Sequence, residues 1–151
     1  MTPTRHTANA EGDWYTTGQC LACAAPEDAA PMLFAPLGGD NYLTHFVRQP
    51  GTPDEVELAC RAALVCCVAD VRYGGHDVGI IRRLGNHPEY CDHVIDDEGQ
   101  LLRAVGRDGE VRSEFRPELT RKGGRNRYCT TVDGRAVTWW LPWVAPDAAL
   151  D

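Results

Sequence analysis

Residues 52–66 spell out a helix with a marked start and a marked face, and the chain on either side must be arranged around it. Thr52 can accept the first free N–H, Pro53 suits the first helical position, and Glu55 completes a capping box. Val56, Ala59, Cys60, Ala63 and Cys67 recur at helical spacing, so this face turns to a core, while Glu57 and Arg61 stand four apart on the solvent side. Before the helix, residues 42–48 alternate Tyr42/Thr44/Phe46 with Leu43/His45/Val47, which predicts a strand ended by Pro50 and Gly51. After it, residues 68–73 read as a strand closed by Gly74 and Gly75. Asp77 can cap a shorter helix over residues 78–84, with Gly85 as its stop.

The flanks are plainer. Residues 1–12 are polar, without the apolar run of a secretory signal, and read as a disordered lead. Residues 13–17 are strand-like and end at Gly18. Toward the C-terminus two hairpins are expected. One joins residues 101–105 to 110–113 around Gly106-Arg107-Asp108-Gly109, the other joins 128–132 to 135–141 around Asp133-Gly134. Between them Arg121, Lys122, Arg125 and Arg127 surround Gly123-Gly124 in a flexible basic loop. Trp139, Trp140 and Trp143 crowd one segment and are candidates for partner binding, and with Trp14 for joining two parts of the chain.

The chemistry-bearing residues are cysteines and histidines. Cys20 and Cys23 form a Cys-x-x-Cys pair, a spacing that lets two sulfurs face one soft metal, or else two small buried side chains. Further on, Cys91 and His93 stand two apart, with His87 nearby. Seven cysteines and no secretory signal point to a reducing cytoplasm, where thiols and metal ligands are expected rather than disulfides. The formal net charge of −7 argues against general nucleic-acid or membrane-surface binding and suits docking on a basic protein. The five histidines are scattered, and no nucleophile elbow, phosphate loop or dinucleotide fingerprint is present, so an enzyme ranks last among the function classes.

The stretch over residues 19–73 resembles the single-cluster bacterial ferredoxins. Ala29-Ala30-Pro31-Met32-Leu33-Phe34 looks like that family's Ala-Pro phrase, and Cys66-Cys67-Val68-Ala69-Asp70-Val71 looks like its closing Cys-Pro segment. The chain is also similar to ferredoxin-like bacterial proteins with Cys-x-x-Cys-x-Ala-Pro-Glu, Arg-Gln-Pro and Arg-Tyr-Gly-Gly phrases, here at residues 20–27, 48–50 and 72–75. The resemblance implies an iron–sulfur cluster on Cys20, Cys23 and Cys66 and a one-electron carrier docking on a redox enzyme. It departs at the third ligand position, where Pro26 stands and cannot bind iron. Cys91 is the expected substitute. Cys20, Cys23, Cys91 and His93 would alternatively form a closed zinc site, and a metal-free domain is the third state. Without a cluster, the chain reads as a binding module of the immunity or inhibitor kind.

The expected fold is α+β. A ferredoxin-like domain over residues 13–93, with two helices on a small antiparallel sheet, is followed by a β-rich extension over residues 94–151.

Overall fold

The computed structural model describes residues 5–18, 23–66, 70–104, 113–114, 120–121 and 127–141. The molecule is α+β, and its described residues form three helices and eight short strands in antiparallel pairings. No described helix is long and apolar enough to cross a membrane. The chain divides between Gly75 and His76 into two compact units. The expected boundary at residue 93 therefore falls inside the second unit, because residues 76–93 pack with the later strands rather than with the chain before them.

In the N-terminal unit, β1 (Trp14–Thr16) pairs antiparallel with β2 (Val71–Tyr73), Trp14 opposite Tyr73. The helices α1 (Ala25–Ala29) and α2 (Pro53–Val65) pack on each other. The start of α2 is the expected one: Pro53 opens it and the Thr52 side chain accepts the Glu55 N–H at 3.2 Å. Ala59, Cys60, Ala62 and Ala63 are its buried face, and Glu57 pairs with Arg61 at 3.5 Å. Around it the core gathers Trp14, Tyr15, Leu33, Phe34, Phe46, Val71 and Tyr73. Gly75 closes β2 where nothing larger fits. An added Cβ would stand 2.5 Å from Cζ of the Tyr73 ring and 2.7 Å from Asp13 Oδ2. That ring is itself buried and tilted against Trp14 at 5.0 Å.

Two expectations fail here. Residues 42–48 are not a strand: only Phe46 bridges, to Phe34. The backbone groups that a neighbouring strand would have satisfied go partly to side chains instead. Phe46 N–H donates to Asn9 Oδ1 at 3.0 Å, and Thr44 C=O accepts the Thr16 hydroxyl at 2.7 Å. Residues 5–12, expected within a disordered lead, are tied down by the same network. Asn9 Nδ2 donates to His6 O and Thr16 O at 2.9 Å each, and Ala10 N–H to Phe46 O at 2.8 Å.

In the C-terminal unit, Asp77 caps α3 (Val78–Arg83) through Gly79 N–H and Ile80 N–H. The helix ends in two left-handed residues, Gly85 (φ 80°) and Asn86 (φ 52°). β3 (His93–Ile95) pairs with β4 (Leu101–Arg103). Residues 101–103 were expected to pair forward, with 110–113. They pair backward because Asp96 builds a five-residue connection, its Oδ1 accepting Glu98 N–H at 3.0 Å and Gln100 N–H at 2.8 Å. The proposed turn at residues 106–109 lies outside the described residues.

The last sheet holds β5 (Ser113–Glu114), β6 (Thr120–Arg121), β7 (Arg127–Val132) and β8 (Arg135–Trp140). β8 runs the full length of one edge of β7, while β5 and β6 share the other. Thr120 and Arg121, expected within or beside a flexible basic loop, are thus paired backbone; Lys122 and Arg125 lie outside the described residues. The β7–β8 turn is the expected Asp133-Gly134, with φ 49° and 76°, the doubly positive pair that a type I′ turn needs. Ile81, Leu84, Val94, Val132, Val137 and Trp139 are buried here.

Candidate functional site

The cysteines come first, because the sequence puts most weight on them. Cys23 is exposed, just before α1, and Ala24 turns the chain into that helix at φ 62°. Pro26, at the third ligand position of the resemblance, sits buried in the first turn of α1. Cys66 is the C-cap of α2, 8% exposed, and its Sγ accepts the Asp70 N–H at 3.3 Å. Cys91 is fully buried and belongs to the C-terminal unit, where its N–H donates to His87 O at 3.0 Å. Cys20 and Trp143 lie outside the described residues.

His93 stands beside His76, Nε2 to Nε2 at 3.2 Å, with the rings edge to face at 4.2 Å between centroids. Among the described residues no group of three or more His, Cys, Asp or Glu side chains could hold a metal ion. A cubane cluster needs four thiolates and a structural zinc four ligands. The described residues do not fit either group.

Trp139 is 1% exposed, lodged between His87 (4.2 Å) and Tyr128 (4.8 Å). Buried in this way it is a core residue and offers no face to a partner. Trp140 is half-buried and lines a shallow recess with Arg82, Asp97 and Thr138.

No family model, no curated protein and no solved structure matches this chain. Its own geometry therefore carries the argument, and the most elaborately braced feature is the loop over residues 34–46. The Phe34–Phe46 bridge closes its base, with ring centroids 4.4 Å apart and both side chains buried. Its far end is a tight turn in which Gly38 and Asn41 exchange backbone hydrogen bonds at 3.0 Å. Asn41 Nδ2 donates to Pro36 O at 2.8 Å. On the return side, the Thr44 hydroxyl donates to the buried Glu27 carboxylate at 2.5 Å.

Tyr42, the residue after the turn, is 70% exposed. Met32 and Val47, which flank the base in sequence, are also exposed apolar side chains. Asp40, inside the turn, is exposed. The loop thus combines a fixed backbone with an aromatic side chain held out in water.

The phrases that carry the ferredoxin-like resemblance hold this unit together. Glu27 anchors Thr44. Gln49 accepts Trp14 N–H and donates to Ala10 O and Trp14 O, stitching β1 to the chain before α2. Arg48 pairs with the Glu55 carboxylate through both terminal nitrogens, and Gly51 N–H joins at 2.9 Å. The Arg48 guanidinium and this N–H hold the Glu55 carboxyl at about 2, well below its ordinary value. Sequence reading missed the loop because Gly38-Gly39 reads only as a break. Its one signal was the Gly-Gly-Asp-Asn run at residues 38–41, a turn composition.

Proposed function

We propose that this chain is a non-catalytic protein-binding module on a ferredoxin-like scaffold, with the loop over residues 34–46 as its contact surface and Tyr42 as the anchor. The observation that carries the reading is Tyr42 at 70% exposure on a loop whose base is buried and hydrogen-bonded. An exposed tyrosine offers a partner a large contact area with an apolar body and a polar tip. A tyrosine on a pre-set backbone also loses little freedom when it docks. The partner is a basic protein: the chain carries −7, and Asp28, Asp40 and Asp54 are exposed on this unit. Seven cysteines without an expected secretory signal fit a reducing cytoplasmic setting for this module.

The test compares the full chain with Tyr42→Ala, both checked for folding by circular dichroism. The partner is captured from the cells that make the protein, identified, purified and titrated against each. A basic partner and a loss of about tenfold or more in affinity, equivalent to about 1.4 kcal/mol, are expected for an anchor residue. Equal affinity would overturn the loop assignment. Stoichiometric iron and sulfide with reversible one-electron reduction would overturn the binding-module reading and restore the electron carrier.

A further inference from the structure

We infer that His76 and His93 form a two-imidazole site for a divalent transition-metal ion, independent of every cysteine. Their Nε2 atoms face each other at 3.2 Å. Zinc holds imidazole nitrogens at 2.0–2.1 Å, and two such nitrogens at the tetrahedral angle stand ~3.4 Å apart. The observed separation lies within about two tenths of an ångström of that distance. The rings meet edge to face with centroids 4.2 Å apart, so they must swing apart for both lone pairs to point at one ion.

Local structure fixes the backbone beside both histidines before any ion arrives. His76 directly precedes Asp77, whose carboxylate is engaged on Gly79 N–H and Ile80 N–H as the cap of α3. His93 opens β3, whose register against β4 is set by His93 opposite Arg103, and Ala104 N–H donates to Asp92 O at 2.7 Å just beyond. α3 and β3 pack on each other, so the two histidines are carried by adjoining elements of one unit. His76 is exposed and His93 half-buried, which leaves the outer side of an ion open to water or to a further ligand. Such a site is half protein and half solvent, unlike a closed structural zinc.

Imidazole nitrogen selects zinc, copper and nickel over magnesium and calcium. In the ion-free protein the pair is joined by one ring N–H donating to the other ring's lone pair. On binding, that ring takes its other tautomer, its proton moving from Nε2 to Nδ1, so that both Nε2 atoms present lone pairs to the ion.

The full chain, kept reduced, is titrated with zinc alone and with magnesium alone while the five histidine ring signals are followed by NMR. One zinc per chain is expected, moving the His76 and His93 signals together, leaving those of His6, His45 and His87 in place, and magnesium moving none. His76→Gln, at an exposed position, is expected to weaken zinc by at least tenfold while melting like the parent, and Cys23→Ser to leave it unchanged. Zinc that moves neither signal, or that binds His76→Gln as tightly as the parent, overturns the site. So does zinc whose uptake is abolished by Cys23→Ser.

Discussion

Glu55 is the residue at which pH should be felt. It accepts from Arg48, Gly51 N–H and its own helix cap, and its carboxyl is held at about 2, against about 4.3 in an unfolded chain. The folded state therefore prefers the ionised form. The stability this confers is complete above the unfolded value and drains away as pH falls from about 4.3 toward 2. Urea unfolding between those limits should show stability falling with acid, and Glu55→Gln should flatten that slope; an unchanged slope would remove Glu55 as its source. Asn86 is the counterpart in the C-terminal unit. Its side chain donates to Ile95 O (2.8 Å) and Thr138 O (2.9 Å) and accepts Ile95 N–H (2.8 Å), while its backbone sits at φ 52°. Asn86→Ala would strand those buried groups and strain the backbone, lowering stability by about 2–3 kcal/mol in a urea titration. Neither partner was legible in the sequence, because they lie 9 and 52 residues away. A polar residue after a glycine announces a loop, not what the loop will reach.

Elements whose signals are local were the legible ones. The start of α2 is written in four consecutive residues, and Thr52→Ala should cost about 1 kcal/mol in unfolding free energy by removing the acceptor for Glu55 N–H. The β7–β8 hairpin is written in two. Gly134 sits at φ 76°, so Gly134→Ala should cost about 1–2 kcal/mol, readable as a lower urea midpoint. Pairings that depend on side chains were illegible. Asp96 bends β3 back to β4 with its own carboxylate, which the Gln100 N–H and the Arg135 guanidinium at 3.1 Å hold below the usual carboxylate range. The alternation over residues 42–48 held in part: Thr44 and Phe46 are buried, while Tyr42 of the same set is exposed. Alternation reports which side chains face inward, however, and not whether another strand lies alongside.

At the scale of the whole molecule, the proposal of a basic partner rests on composition, whereas the proposed contact surface rests on the loop. With a net charge of −7, the association rate with a basic partner should fall several-fold between 50 and 200 mM salt, while Tyr42→Ala should act mainly on dissociation. Stopped-flow mixing separates the two. The boundary expected at residue 93 lay beyond the ferredoxin-like resemblance, which ends at residue 75, whereas α3 gives its packing to β3 and Gly85 O accepts the Trp140 N–H at 3.0 Å. The division falls instead after Gly75, and the crowding there reaches beyond folding into heredity. Every one-base change in a glycine codon that alters the encoded residue adds at least a Cβ, and at this position a Cβ would lie against the buried Tyr73 ring. Most sites in a protein can drift through a tolerable neighbour; position 75 has none within a single mutational step, so lineages carrying this fold should keep glycine there long after the cysteines around it have come and gone.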